Sequence, residues 1–328
     1  MSESYEAEER AHAKINLLLH VFEGASSGYH ALETLFQRLA LHDVVRVGVN
    51  RGSDEMCISG PALPQAGLGP RESNLAWRAA AAFRLSTGWP HSWQICIEKN
   101  IPVGGGLGGG SSDAGAVLRA LNRLAPEPLS AAGLLAIAGS LGADVPFLTS
   151  QASLAWAWGR GERMLELPPV ASMPVDLVIF DEGVSTAHAY QALDTLRAAS
   201  SQEVDGGVAV AMSSKKNAES QTNPGSLVSP ISPVVPAFMY ARNTFSSWES
   251  IAALARNDFE AVVPGLHSGV AAALPSIKAA ASEYRSSGHI SFALLSGSGA
   301  SCFLLRPDGH DAALHLPPGS RLVTTSTV

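Results

Sequence analysis

A glycine-dense stretch constrains this chain more than any other feature: Pro102-Val103-Gly104-Gly105-Gly106-Leu107-Gly108-Gly109-Gly110-Ser111-Ser112-Asp113-Ala114, with six glycines in residues 104–110. Just upstream, Trp93, Ile95 and Ile97 alternate with Gln94, Cys96 and Glu98, which predicts a half-buried strand. Downstream, Ala114, Val117, Leu118, Leu121 and Leu124 fall at helical spacing, so a helix is expected from Ser111 or Ser112, ending before Pro126. Strand, glycine loop and helix start in that order form an anion cradle. Glycine lets the backbone approach a ligand and adopt positive φ. The free N–H groups and the dipole of a helix start favour a phosphate chain. A plain connector has no need of six glycines between two well-patterned elements.

The common phosphate loops do not fit. A Walker A loop needs a lysine where Gly110 stands. Gly104, Gly106 and Gly109 match a dinucleotide fingerprint literally, but the acid ~20 residues further on is Glu127, wedged between Pro126 and Pro128 instead of closing a strand. The HRD and DFG motifs of protein kinases do not occur. Composition excludes other classes. The 328 residues carry a net charge of −7, and no basic cluster is longer than Lys215-Lys216, which argues against nucleic acid as partner. With 46% hydrophobic and 16% charged residues the chain reads as globular. The N-terminus is acidic and lacks signal-peptide regions, and the nearly uncharged run Ala131–Leu148 contains Asp144 and Pro146, so it reads as a buried helix followed by a loop and not as a membrane span. Cys57, Cys96 and Cys302 are odd in number and far apart, which predicts free thiols in a reducing, cytoplasmic setting.

Elsewhere the pattern is mixed. Ala13–Phe22 reads as a strand with Ile15, Leu17 and Leu19 on one face and Lys14, Asn16, Leu18 and His20 on the other. Gly24–Gly28 reads as a turn, Ala31–Leu39 as ordered chain, Val44–Val49 as a strand, Gly60–Pro70 as a loop and Asn74–Leu85 as a helix. Strands follow at Leu154–Trp158 and Val175–Phe180, helices at Trp248–Ala255 and Val270–Tyr284, and two strands at Phe292–Leu295 and Ser301–Leu305 flank the turn Ser296-Gly297-Ser298-Gly299. Ser200–Pro236, rich in Ser, Gly, Asn and Pro, reads as a flexible insertion.

The block Ile101–Leu124 resembles the phosphate loop and following helix of the GHMP kinases. Ala13-Lys14-Ile15-Asn16-Leu17-Leu18-Leu19-His20, then Gly28-Tyr29-His30, Thr34-Leu35-Phe36-Gln37, Leu141-Gly142-Ala143-Asp144-Val145-Pro146-Phe147 and Ser296-Gly297-Ser298-Gly299-Ala300 resemble, in order and spacing, the branch acting on 4-diphosphocytidyl-2-C-methyl-D-erythritol. The resemblance implies an α+β, two-domain GHMP kinase fold with the active site in the interdomain cleft: an ATP-binding domain over residues 1–160 and a second domain over 161–328. It implies ATP and Mg²⁺ as cofactors and phosphorylation of a 2-hydroxyl on a cytidine diphosphate compound, in non-mevalonate isoprenoid precursor synthesis.

It also implies residue roles. Asp144 matches the catalytic base and Lys14 the cation beside it. Pro102, Gly104, Gly105, Gly106, Gly108, Gly109, Gly110, Ser111 and Ser112 match the ATP phosphate loop, and Asn74 and Lys99 match positions near the adenine. Asn16, Tyr29, His30, Thr186, Tyr190, Gly297 and Gly299 match the substrate pocket; no protein metal ligand is assigned. Read without the resemblance, Asp144 could be a turn residue, Lys14 a solvated strand residue, Ser111 or Ser112 a helix cap and Ser-Gly-Ser-Gly a hairpin turn. One departure stands out: the family's Pro-Gly after the strand near Ile179 is here Phe180-Asp181-Glu182-Gly183-Val184-Ser185-Thr186. Two other readings stay open: a GHMP kinase acting on homoserine, mevalonate or a sugar, and a non-catalytic binding relative. The Gly28-Tyr29-His30 block argues against the first, and the retained Lys14 and Asp144 against the second.

Overall fold

The structure, a computed structural model, describes residues 6–23, 30–50, 52–205, 244–310 and 314–328. Among these, a seven-stranded sheet holds β1 (Glu6–Val21), β2 (Leu32–Asn50), β3 (Glu55–Ser59), β4 (Ser92–Glu98), β5 (Leu154–Gly159), β6 (Arg163–Leu167) and the short β8 (Arg256–Asn257). A four-stranded sheet, ordered β11-β7-β10-β9, holds β7 (Pro174–Phe180), β9 (Phe292–Leu295), β10 (Cys302–Leu305) and β11 (Ser320–Ser326). Helices α1 (Leu75–Thr87), α2 (Gly109–Leu124), α3 (Ala131–Leu141) and α4 (Val145–Ser150) belong to the first half. Helices α5 (Thr186–Asp205), α6 (Trp248–Leu254), α7 (Val263–Leu266) and α8 (Ser268–Ser286) belong to the second.

Packing follows the residue patterns. Val45, Val47, Ile95 and Ile97 from one face of the large sheet bury against Ala76, Ala79 and Phe83 of α1 and Val117, Leu118 and Leu121 of α2. A second core joins the sheets, with Ile15, Leu17, Leu35 and Trp156 meeting Val175, Leu177, Phe303 and Leu305. A third packs α8 residues Val270, Ala273, Leu274 and Ile277 on Val178, Ala293 and Leu304 of the small sheet. At ~25 cal/mol per Å² of apolar surface, burying such side chains is the dominant stabilising contribution in each core.

Several expectations are corrected here. Ala31–Leu39 and Val44–Val49 are one strand: the first half of β2 pairs with β5 and the second with β4, while β1 runs antiparallel along both. Register shifts in the β1–β2 pairing fall between His12 and Lys14 and between Asn16 and Leu18. An extra residue in one strand reverses which face the following side chains take. The alternation of β1 therefore switches: Leu18 joins Ile15 and Leu17 in the inter-sheet core, whereas Leu19 joins Lys14 and Asn16 on the cavity side. The run Ala131–Leu148 is two helices, with Pro146 in the first turn of α4 where its missing N–H costs nothing. Strands β3, β6 and β11 carried too little apolar patterning to be anticipated. The turn expected at Gly24–Gly28 lies outside the described residues. Helix α5 continues to Asp205, past the expected start of the 200–236 insertion, and residues 206–236 lie outside the described ones.

The cysteine reading is also corrected. Cys57 and Cys96 stand opposite each other across the parallel β3–β4 pair, with Cα atoms 4.7 Å apart, and form a disulfide. Strand pairing, which sequence distance does not reveal, brings them together, so the argument from free thiols to a reducing compartment falls. Cys302 is a buried free thiol whose pKa burial pushes up to about 12.

Candidate active site

The glycine stretch leaves β4 and enters α2 at Gly109, two residues before the expected start, with Gly108 as the N-cap at φ 74°. The first intrahelical bond runs from Ser112 N–H to the Gly108 carbonyl, at 2.8 Å. The N–H groups of Gly109, Gly110 and Ser111 therefore lie ahead of the helical ladder, free for an anion. Two glycines here are dictated by space as well as by backbone shape. A Cβ on Gly106 (φ 75°) would collide with the Ser296 carbonyl, and one on Gly108 would lie 2.9 Å from Lys14 Cγ. The loop is gripped from both halves of the chain: Ser296 Oγ donates to the Gly106 carbonyl (3.0 Å), Ser301 N–H to the Gly105 carbonyl (3.2 Å) and Lys14 N–H to the Leu107 carbonyl (3.0 Å). The unusual Asp181–Ser185 segment also meets this loop, with Gly183 set against the Gly104 carbonyl.

A first cavity lies along the loop. Pro102 and Gly104–Gly110 line it together with Asn74, Lys99 and Asp113, and Leu68, Leu75, Ile101 and Val103 give it apolar walls. Two of its expected polar residues have other commitments. Asn74 caps α1, its side-chain oxygen accepting the Ala76 N–H at 2.9 Å. Lys99 is buried, and its ammonium is bonded to the carboxylates of Asp43 and Asp113. Burial would lower the Lys99 pKa, but the two carboxylates more than offset that and raise it; burial also pushes the Asp113 carboxyl up despite the lysine beside it. Asp43 in addition accepts the N–H groups of Asn100 (2.5 Å) and Ile101 (2.7 Å), so this buried cluster fixes the chain entering the loop. Asp43 has no distinctive neighbour, and Asp113, although it follows the glycine stretch, gave no sign of a partner; only the fold sets them on either side of Lys99.

A second cavity adjoins the first, sharing Gly106 and Gly108. Lys14, Asn16, Asp144, Thr186, Tyr190 and Gly297 line it, and so does Ser111, which was expected at the ATP phosphate loop; Leu19, Thr34, Phe36 and Ser298, quoted above only as parts of longer blocks, and Phe259 join them. Lys14 Nζ is 3.2 Å from Asp144 Oδ2 and donates to Asn16 Oδ1 at 2.8 Å. Asn16 Nδ2 donates in turn to Thr34 Oγ (2.7 Å), whose hydroxyl donates to the Leu18 carbonyl (2.8 Å). The chain of bonds holds the Lys14 ammonium beside Asp144. Lys14 and Asn16 share a face by plain alternation, and the register shift between Asn16 and Leu18 brings Leu19 onto the same cavity. Asp144 is the residue before α4 and makes no capping bond there; its side chain is 30% exposed, open to the cavity. Opposite, Tyr190 packs edge-on against Phe259 (4.9 Å) and beside the His30 ring (5.0 Å). Burial first and the Asp144 charge second raise its hydroxyl pKa. Thr186 starts α5 and shares a hydrogen bond with Ser298 Oγ at 2.9 Å.

Three expected residues do not reach the cavities. Ser112 is buried inside α2 and donates its hydroxyl to the His12 carbonyl (2.7 Å), because a helix starting at Gly109 turns it towards β1. Gly299 (φ 88°) faces Leu295 and Val263 and closes the turn by donating to the Ser296 carbonyl at 3.0 Å. His30 stands behind Tyr190 with Nε2 paired to Asp194 (2.7 Å). Tyr29 lies outside the described residues.

Residues 74–151 match the family described as GHMP kinases N terminal domain. The chain is 41% identical over 184 residues to the 4-diphosphocytidyl-2-C-methyl-D-erythritol kinase of Desulfitobacterium hafniense, covering 56% of this chain and 60% of that one. It is 43% identical over 186 residues to the enzyme of the same name from Syntrophotalea carbinolica, covering 56% and 64%. The matches therefore span a little under two thirds of these relatives' length. In three dimensions the chain aligns with a crystal structure of 4-(cytidine 5'-diphospho)-2C-methyl-D-erythritol kinase over 98% of this chain and 99% of that one, at TM-score 0.63 and 29% identity. The Methanococcus jannaschii mevalonate kinase, at 10% identity and TM-score 0.59 over 98% of each chain, shares the fold. Residues 74–151, which run from α1 to α4 and include the glycine loop, are thus similar to the GHMP kinases N terminal domain, and the chain as a whole shares the fold of the aligned kinase structures.

Proposed function

We propose that the chain is an ATP-dependent kinase that phosphorylates the 2-hydroxyl of 4-diphosphocytidyl-2-C-methyl-D-erythritol, with ATP in the first cavity and the acceptor in the second. The observation that carries this reading is the Lys14–Asp144 pair standing where the two cavities meet at Gly106 and Gly108. Phosphoryl transfer asks for a held phosphate chain, a positioned acceptor and a group to take the acceptor's proton. The N–H groups opening α2 hold the phosphates, and the apolar walls of the first cavity suit a purine. Asp144 takes the hydroxyl proton; a positioned base of this kind contributes about 10²–10⁴ in rate. Lys14, tethered by Asn16, orients that hydroxyl and balances charge as the phosphoryl group moves.

Mg²⁺ suits the site because this ion takes most of its ligands from phosphates and water, and the Ser111 hydroxyl lining the second cavity is a hard oxygen donor that would hold it. When bound it would neutralise charge on the phosphate chain. The His30–Tyr190 ring pair, with Tyr29 next in sequence, supports an aromatic site for the cytosine base, where stacking contributes about 1–3 kcal/mol. Residues 1–160 then act as the ATP-binding domain and 161–328 as the domain that closes the acceptor site. No helix among the described residues is long and apolar enough to cross a membrane. Working on ATP and a water-soluble diphosphate, the enzyme belongs in the cytoplasm, with no nucleic-acid partner.

The test is an ADP-release assay with Mg·ATP, comparing the cytidine compound with homoserine, mevalonate and galactose. Turnover on the cytidine compound alone is expected. Turnover confined to another acceptor would discard the cytidine site, and none on any of the four would favour a binding relative.

A further inference from the structure

Asn257 lies on β8, buried, at the point where β8 pairs with Leu19 of β1. Its Nδ2 donates to two carbonyls of the late glycine turn, Leu295 (2.7 Å) and Gly297 (2.8 Å), while its Oδ1 accepts the Phe259 N–H at 3.0 Å. One carboxamide thus ties together the strand that bears Lys14, the turn holding Gly297 and Ser298, and the Phe259 wall of the second cavity. Nothing in the sequence marks Asn257, and the phosphoryl-transfer scheme above gives it no part.

Peptide planarity makes the consequence specific. In a trans peptide the C=O and N–H point in opposite directions. Clamping the Gly297 carbonyl inward onto Asn257 therefore turns the Ser298 N–H away from the core, on a turn that lines the second cavity with Lys14 and Asp144. Among the described residues that N–H meets no acceptor, whereas its neighbours are used: Ser296 N–H bonds the Ser301 carbonyl (2.9 Å) and Gly299 N–H the Ser296 carbonyl (3.0 Å). Gly297, at φ 58°, gives the turn the backbone shape this needs, and a Cβ there would lie 3.5 Å from Lys14 Nζ. An N–H fixed before the reaction is worth more than one that must reorient, since no reorganisation is needed as charge develops.

We propose that Asn257 is a positioning residue that aims the Ser298 N–H at the phosphoryl group in transfer. This rests on the kinase reading of the two cavities. Asn257→Asp keeps the acceptor for Phe259 N–H but removes both donated bonds, and Asn257→Ala removes all three. In either folded variant kcat is expected to fall about 10²- to 10³-fold, in the range seen when one oxyanion donor is lost, with KM for ATP within about twofold because the α2 loop is untouched. In parallel, the ¹⁵N amide resonance of Ser298 is expected to shift when pyrophosphate is added to the wild-type protein, and to lose that shift in the variants.

A variant that melts earlier but keeps its kcat would reduce Asn257 to a structural tie and overturn the proposal. A wild-type Ser298 amide that ignores pyrophosphate would overturn it even if neither variant folds. Wild-type protein with no turnover on any acceptor would instead sink the kinase reading, and the amide shift would still decide whether Asn257 aims an anion-binding N–H.

Discussion

The two cavities meeting at Gly106 and Gly108 are built from different materials. The first is mostly main chain: one contiguous loop and the opening of α2, with its polar side chains, Asn74 and Lys99, already engaged in capping a helix and in a buried ion cluster. The second is mostly side chains, drawn from β1, β2, the start of α4, α5, the turn at Phe259 and the late glycine turn. Main-chain donors have little chemical identity of their own, so such a site holds a phosphate chain by shape and dipole. A site of converging side chains can move a proton and choose an acceptor. The contrast separates holding from reacting, and it makes different predictions for substitutions a few ångströms apart.

The largest effect is expected in the second cavity. Asp144→Asn should lower turnover by about 10²–10⁴, the range for loss of a positioned general base, while nucleotide affinity measured by equilibrium titration stays near wild type. Near-normal turnover would remove Asp144 as the base and blur the division between the cavities.

Next comes Lys99→Met. It should act on stability, by about 3–5 kcal/mol in denaturant unfolding, because Asp43 and Asp113 are left buried and uncompensated. A variant with unchanged unfolding but a raised KM for ATP would mean that Lys99 serves the nucleotide directly, as the family resemblance suggested.

The smallest effect tests the shared boundary. Gly108→Ala puts a Cβ against Lys14 and forces alanine into a left-handed backbone, at a cost of roughly 1–2 kcal/mol. Because Gly108 lines both cavities, KM for ATP and kcat should worsen together. A change in one alone would show that the cavities act more independently than their shared wall implies.

How much was legible beforehand follows the same division. The glycine loop could be located because its glycines are clustered and flanked by clear strand and helix patterns; the start of α2 was misplaced, since Ser111 and Ser112 look like caps while Gly108 fills that position. The Lys14–Asp144 pair could be named only through family resemblance, being 130 residues apart in a chain with four other lysines and ten other aspartates. Thr34 and Phe36 stood out only as part of a family-like block with no role attached, and Phe259 and Asn257 left no local mark, because strand pairing brings them to the site: β1 with β2, and β1 with β8.

By itself, then, the amino-acid order determined what local rules can encode: where the loop lies, which helices flank it, which faces are apolar and that the surface is acidic. Tertiary structure decided what depends on contacts between distant segments. A bulge between Asn16 and Leu18 switched the faces of β1, strand pairing joined Cys57 to Cys96, and Asp43 met Asp113 across one buried lysine. The physical reason is that propensity and periodicity act over a few residues, while register, burial and charge pairing are settled only when the two sheets close on their shared core.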